Sequence, residues 1–333
     1  LPDGTAEAIQ PNAPQRARPA FERNLVIVHQ PGWQALEDWR QIGAHIRRLD
    51  PTTGVIILPY DEPNTDLAAH AAKLPTLVFS PGPLGRFQPR RGKLYHGQLM
   101  SKFEELRHLA AAGVPVPRSQ LLTAETRLDP VLWGELVVLK PSVDASMGNG
   151  VQLIRTERVR YTKPAEYPRG HSGRNGPMIV QQFIDTGPNV NNVRVLTLFG
   201  EPLYCQLTIA RDRRTELNLD NATLEAAPIA TQAFPRNRAF MYDADMIALA
   251  RKAHFAIPQV PLKGVDMVRQ VGTGKLYVLE VNPKSNTWHF SSNLMERITA
   301  KNGGPPPEEY KSQLDGLGTA AHVLTAVARR EAE

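Results

Sequence analysis

Apolar and polar positions alternate with two different periods along this chain, and they change over at about residue 115. Before that point, short apolar runs alternate with helical patterns. Leu25 to Val28 predicts a strand, and Trp33 to Leu49 a helix with Trp33, Leu36, Trp39 and Ile46 on one side. Val55 to Leu58 predicts a second strand, Asp66 to Lys73 a helix and Thr76 to Phe79 a third strand. Such alternation argues for a small parallel sheet with crossover helices, and ligands often bind at its strand ends. Residues 80–97, rich in Pro, Gly and Arg, predict a linker. Gln98 to Ala112 predicts a helix with Leu99, Phe103, Leu106 and Leu109 at helical spacing; Gly113 caps it, and Pro115 and Pro117 follow.

Beyond that the pattern is mostly of strands: Ser119–Leu122, Glu135–Lys140, Val151–Ile154, Met178–Ile184, Val193–Leu198 and Leu203–Ala210. A helix over Asp243 to Phe255 precedes a hairpin, and helices over Ser292–Ile298 and Tyr310–Arg330 close the chain. No internal repeat is present. Residues 1–22 are rich in Pro and Ala without apolar periodicity and predict a flexible arm. The expected units are therefore the arm at 1–22, an α/β domain with linker at 23–97, a strand-rich unit at 98–177 and a second at 178–333.

The hairpin, Lys263 to Asn286, carries the most chemistry. Asp266 lies in one apolar run, Glu280 and Asn282 in the next, with Gly272-Thr273-Gly274-Lys275 between them as the turn. Residues two apart on a strand share a face, so Glu280 and Asn282 point the same way, and Asp266 can face them from the partner strand. Three hard oxygen donors in one place suit magnesium, which shares its shell with waters and substrate phosphates. The plainer reading is a surface hairpin with scattered acids; a buried-looking strand rarely carries Glu without a partner.

Two lysines fit an anionic ligand. Lys140 ends the apolar strand Leu136 to Leu139, where its ammonium can reach phosphates. The loop that follows, Ser142 to Gly150, can turn backbone N–H groups towards an anion, or be an ordinary hairpin turn. It lacks the Walker A spacing and opens into a strand. Lys102 on the preceding helix is a second candidate; alone it would be read as a solvated lysine.

Composition narrows the classes. Lys and Arg number 39 against 33 Asp and Glu, a net charge of +6 without a basic stripe interleaved with aromatics. That gives nucleic-acid binding no support, and it suits small anionic ligands. The single cysteine, Cys205, excludes an intrachain disulfide or thiolate cluster. No apolar run approaches the roughly 20 residues of a membrane span, and no signal-peptide pattern is seen. The expectation is a cytoplasmic protein with no membrane partner.

Taken in order, Lys102, Lys140-Pro141, Ser146–Val151, Gln181–Asp185, Arg194, Asp266, Glu280 and Asn282 resemble the ATP-grasp superfamily of carboxylate–amine ligases. The nearest flavour is the branch of ribosomal-protein glutamate ligases and glutathione synthetases. The likeness runs from about Gln98 to Asn293. It implies an α+β ATP-grasp fold, two antiparallel sheet subdomains gripping a nucleotide, preceded by the small α/β parallel-sheet domain. It implies ATP with magnesium, manganese being an acceptable substitute. Lys102 and Lys140 would contact phosphates, and Ser146, Met147, Gly148, Asn149 and Gly150 would close over them. Gln181 and Phe183 would meet the adenine, with Gln182 or Asp185 near the ribose and Ile184 in the same cofactor-binding segment. Asp266, Glu280 and Asn282 would carry the metal, while Arg194 and Arg211 would lie near the γ-phosphate or an acyl phosphate. The sequence departs from the family at Gln182, where an acid is common, at Asn192, where Asp is common, and over Thr156 to Pro177, where relatives carry a regular lid helix. An irregular, mobile insertion that orders on substrate binding is expected there.

The chemistry so implied is activation of a substrate carboxylate as an acyl phosphate, followed by displacement of phosphate by an amine. The partners are small-molecule or peptide acids and amines, and homo-oligomers are common among such ligases. The alternatives are phosphate transfer to a hydroxyl on the same scaffold, or a non-catalytic nucleotide-binding protein. For the substrates, Lys284, Asn286 and His289 follow the metal strand closely, and His29 flanks a turn after the first strand. Packing is the competing role for His289 and Trp33. Arg86, Arg90, Arg91 and Lys93 could bind an acidic substrate, and a solvated basic loop is the competing reading.

Overall fold

Leu25, Val26, Ile27 and Val28 are buried on both faces, as the centre of a parallel sheet requires. The structure, a computed structural model, describes residues 20–61, 63, 65–143, 148–283 and 287–333; most of the arm expected at 1–22 lies outside them. Strand β1 (Arg23–His29), helix α1 (Leu36–Leu49), β2 (Thr53–Pro59), α2 (Thr65–Ala71), β3 (Thr76–Ser80) and β4 (Lys93–His96) build the first sheet. Its order is β2-β1-β3-β4, parallel throughout. The predicted linker thus hides an edge strand, β4, four residues long and only partly buried, too short and polar to announce itself. Trp33 precedes α1 and is 38% exposed, and Leu36 is exposed as well; the inward stripe is Trp39, Ile42 and Ile46.

Helix α3 (Lys102–Ala111) is shorter than its apolar pattern. Ser101 accepts from the Glu104 amide while Glu104 reaches back to the Ser101 amide, a capping box that fixes the start. Leu99, expected on the buried face, is therefore outside the helix and exposed. The second sheet contains β5 (Ser119–Leu121), β6 (Leu136–Pro141), β7 (Gln152–Arg155) and β8 (Met178–Gln182), with the short helix α4 (Pro130–Trp133) before β6. The order is β5-β8-β6-β7, all antiparallel. Residues 156–177 contain no α-helix; of three 3-10 turns, the first packs on α4 and the last two line a cleft with β5 and β8. Arg174 ties them together through the Ala165 and Tyr167 carbonyls.

The third sheet comprises β9 (Asn191–Leu198), β10 (Glu201–Ala210), β11 (Arg236–Phe240), β12 (Leu262–Arg269) and β13 (Leu276–Asn282). Helix α5 (Asn221–Ala226) precedes β11 and α6 (Ala244–Phe255) follows it. Strand order is β11-β10-β9-β12-β13, again antiparallel. Two antiparallel sheets behind a parallel α/β sheet is the α+β arrangement anticipated from the sequence. The unpredicted strand β11, RNRAF, opens with three successive polar residues and lies at an edge. Helices α7 (Asn293–Asn302), α8 (Pro307–Gln313) and α9 (Gly316–Glu331) end the chain. The single helix expected over Tyr310–Arg330 is two. Asp315 turns left-handed (φ 45°), and its carboxylate fills the space beside Gly318, where a Cβ would lie 2.0 Å from an Asp315 oxygen.

One apolar core spans the first and third sheets: Leu25, Ile27, Trp39 and Phe79 pack with Leu196, Leu198, Trp288 and Leu324. Trp39 stacks on Trp288 at 4.6 Å. Beside them the buried Asp38 accepts from Trp288 Nε1 at 2.8 Å, Ser291 Oγ at 2.5 Å and Lys311 Nζ at 3.0 Å. The segment leaving β13 is thereby anchored to α1. The second sheet has its own core around Trp133, Val137 and Val180.

Candidate active site

Strands β12 and β13 bring the hairpin's oxygen donors together. Asp266 pairs directly with Glu280, and a bulge follows that step. Asn282 donates to Asp266 Oδ2 at 2.8 Å and to Glu280 Oε1 at 3.4 Å. Opposite Asn282 stands Gly264, where a Cβ would lie 2.8 Å from Thr287 Cγ2; only glycine lets the backbone approach so closely.

Cations meet this trio from three directions. Arg194, paired with Asp266 across β9 and β12, donates through Nε to Oδ1 at 2.8 Å and through Nη2 to Oδ2 at 2.6 Å. Lys102, from the first turn of α3, forms an ion pair with Glu280, 178 positions away. Its backbone amide bonds to Ser142 O at 2.9 Å, which ties the start of α3 to the end of β6. Lys140, on β6 of the second sheet, is 8% exposed and shares its electrostatic surroundings with Lys102 and Glu280. Side chains from α3, the second sheet and the third sheet thus converge on one place.

Burial and charge set the protonation states. Burial alone would raise the Glu280 carboxyl, but the ammonium groups of Lys102 and Lys140 bring it down to about 2. Burial depresses Lys140 to about 8 and Lys102 repels it, against the pull of Glu280. Burial pulls Lys102 down, but Glu280, with Glu105 and Asp266, carries it above its ordinary value. Burial pushes the Asp266 carboxyl upward; Arg194 opposes this and Glu280 adds to it.

Sequence reasoning missed Glu105. One turn beyond Lys102 on α3, it is 4% exposed and accepts a hydrogen bond from the Val281 amide. Burial and the Glu280 charge raise it to about 8. A signal existed: Glu104 and Glu105 are adjacent, the first is spent on the cap, and the second falls beside Leu106 on the inward stripe. Three acids, Asp266, Glu280 and Glu105, therefore meet three cations, Arg194, Lys102 and Lys140.

The remaining candidates are more scattered. Gln181 is buried and donates to Ser119 Oγ at 2.9 Å, while the Gln182 amide bonds to Arg118 O. Phe183 packs with Leu136, Leu153 and Leu224, and Ile184 with Val268 and Tyr277 of the hairpin, so this segment carries the chain from the second sheet to the third. Asp185 is engaged by Arg214 at 2.9 Å and by the Gly187 amide. Gly148 and Gly150 have positive φ (79° and 71°), and a Cβ on Gly148 would meet Ala230 at 2.7 Å; Asn149 lies between them. Arg194 is spent on Asp266 rather than free for a phosphate. Arg211 sits exposed beyond the end of β10, bonded to Asn237 Oδ1 at 2.8 Å and Asn302 O. His289 is buried, stacked on Tyr204 at 5.4 Å. His29 closes β1, buried in the first sheet. Ser146, Met147, Lys284 and Asn286 lie outside the described residues.

The donor set fits a hard divalent cation: two carboxylates and an amide on one hairpin, all oxygen ligands. Among the described residues no group of three or more His, Cys, Asp or Glu side chains is arranged to hold a metal. No described helix is long and apolar enough to cross a membrane.

No family model and no curated protein matches the chain. Solved structures do. The D-cycloserine synthetase DcsG is 17% identical, covering 90% of this chain and 99% of its own, with a TM-score of 0.46. The ATP-grasp ligase PsnB complexed with minimal precursor is 14% identical, covering 91% and 99%, with a TM-score of 0.47. D-alanine–D-alanine ligase from Bacillus anthracis is 14% identical, covering 92% and 99%, with a TM-score of 0.43. At such identities no residue role passes from these proteins to this chain.

Proposed function

We propose that this chain is an ATP-grasp ligase, dependent on ATP and magnesium, that joins a carboxylate to an amine with release of ADP and phosphate. One observation carries the reading: Lys102 and Lys140 stand beside the Glu280–Asp266–Asn282 cluster, where α3 and two antiparallel sheets meet. Paired lysines next to a hard oxygen set match the needs of a metal-bound triphosphate.

Asp266, Glu280 and Asn282 would hold magnesium, which when bound neutralises phosphate charge. Lys102 and Lys140 would hold the phosphates, Lys102 giving up its ion pair with Glu280 to do so. Arg194 fixes Asp266, and Arg211 is the arginine we assign to the transferred phosphoryl group. The loop from Ser146 to Gly150 would cover the phosphates, and the segment Gln181 to Asp185 would take the adenine and ribose. A carboxylate oxygen attacks the γ-phosphorus and ADP departs; the amine nitrogen then attacks the acyl carbon and phosphate departs. Neither step needs a protein nucleophile. The protein must align the groups, balance the charge and exclude water from the acyl phosphate.

Screening carboxylic acids for ADP release with hydroxylamine as the nucleophile tests this, since hydroxamate identifies the activated acid. Labelled carboxylate oxygen should appear in released phosphate. ADP formation that needs a hydroxyl acceptor and transfers no label would instead establish a phosphotransferase.

A further inference from the structure

The face of the third sheet that carries Asp266 and Arg194 continues past them into polar groups with no assigned work. Gln206 on β10 pairs with Arg194 on one side and Phe240 on the other, and Arg238 on β11 pairs with Thr208. Directly paired residues, and those two apart, share a face, so Asp266, Arg194, Gln206 and Arg238 all line it. Two aromatic residues close over it. His289 stacks on Tyr204 and meets Tyr310 edge-on at 5.7 Å, while Tyr310 packs against Phe240 at 4.7 Å.

Four polar atoms here lack any hydrogen-bond partner among the described residues: Gln206 Nε2, Arg238 Nη1, His289 Nδ1 and Tyr310 OH. Gln206, His289 and Tyr310 are only 2%, 6% and 0% exposed. Buried polar groups are nearly always paired, and each unmade bond costs free energy. Four together mark a place built for something else. Charge is unbalanced in the same sense. Arg236 is spent on backbone carbonyls, Asp266 already answers Arg194, and among the described residues Arg238 has no acidic partner. Burial brings Arg238 down to about 10, and Arg236 and Arg194 repel it.

All four atoms can donate, so a ligand that only accepts can satisfy every one of them. One unpaired guanidinium matches one negative charge, as a carboxylate carries, better than a phosphate dianion. We propose that Arg238, Gln206, His289 and Tyr310 form a carboxylate-binding subsite that anchors the acid substrate. Its assignment to the substrate rests on the ligase reading; carboxylate binding as such does not. Gln206 stands two strands from Asp266, about 10 Å at ordinary strand spacing. The anchored carboxylate is thus distinct from the one activated, and the substrate class is a dicarboxylic acid or a peptide bearing an acidic side chain.

The test uses the whole chain without nucleotide. Glutarate and acetyl-Gly-Glu, each with two carboxylates, separate the free-acid and peptide sources, glutaramide is the neutral control, and inorganic phosphate is the rival anion. Calorimetry should give binding of glutarate or the peptide but not of glutaramide. Long-range proton–nitrogen spectra should show the His289 ring shifting on addition. Arg238→Gln should weaken binding about tenfold to a hundredfold, and Tyr310→Phe, which removes only the hydroxyl, by several-fold. Binding of magnesium-ATP should be unchanged in both variants. Glutarate and peptide that fail to bind, phosphate that binds in their place, or affinity unmoved in Tyr310→Phe and Arg238→Gln would each overturn the subsite. If the variants lose glutarate while magnesium-ATP fails to bind the wild type, the subsite stands and the ligase reading falls.

Discussion

Arg194 grips Asp266 with two parallel hydrogen bonds, Nε to Oδ1 at 2.8 Å and Nη2 to Oδ2 at 2.6 Å, across directly paired positions of β9 and β12. Planar fork-to-carboxylate contacts of this kind set direction as well as strength. Asp266 is consequently held at one orientation, with Asn282 also donating to it. With its guanidinium occupied by this contact, Arg194 orients Asp266.

Removing one member of this pair leaves the other charge uncompensated. Asp266→Ala should destabilise the fold by about 3 kcal/mol, the low end for a buried pair because the Arg194 side chain is 23% exposed. Arg194→Leu should cost a similar amount, and the double variant much less than the sum. Urea melts of the four proteins measure this; strict additivity would show that the two side chains do not act as a pair.

Glu280→Ala should abolish ADP formation and leave the circular dichroism spectrum unchanged. The residue is partly exposed at the end of a strand whose apolar neighbours Val278 and Val281 remain. Magnesium should no longer strengthen ATP binding in this variant, a readout separate from turnover. Near-normal hydroxamate yield would refute its place in the metal set.

Lys140 supplies a pH prediction. Burial depresses it to about 8, so its ammonium is charged below that pH and neutral above it. If it holds phosphate, ATP affinity should fall about tenfold between pH 7 and pH 9. Arg cannot lose its charge in that range, so Lys140→Arg should flatten the profile even at some cost in absolute affinity. A wild-type affinity that does not change across this range would remove Lys140 from the phosphate site.

Legibility followed distance along the chain. Asp266, Glu280 and Asn282 could be read because a hairpin and a period of two fix which side chains share a face. Lys140 could be read because a charge ending an apolar strand stands out. Arg194 and Lys102 could be named, but not their partners: those depend on which strand lies beside β12 and on where α3 docks, and periodicity carries neither. Edge strands β4 and β11 escaped because half-exposed strands have weak patterns. The break before α9 was hidden by apolar spacing that continues through Asp315. Glu105 was passed over since a charged residue on an apolar stripe reads as its solvated margin until the opposing strand is known.

Asp50 provides the last test, on stability. It terminates α1 and accepts from Arg329 Nε at 2.8 Å, Thr53 Oγ1 at 2.9 Å, the Thr52 amide at 3.0 Å and Arg23 Nη1 at 3.1 Å, so that α1, α9, β1 and β2 meet on it. Burial would raise its carboxyl, but Arg329 and the two threonines hold it well below the usual carboxylate range. A folded value below the unfolded one contributes stability that is fully present above the unfolded value, near 4, and is lost as pH falls through the folded value. Asp50→Asn, which keeps the shape and loses the charge, should be less stable by about 2 kcal/mol at pH 7. That gap should close steadily from about pH 4 downward, because the wild type then loses the same charge. Urea melts at several pH values would show the convergence; a gap that stayed constant into acid would mean that the threonines hold Asp50 by shape, with its charge contributing nothing.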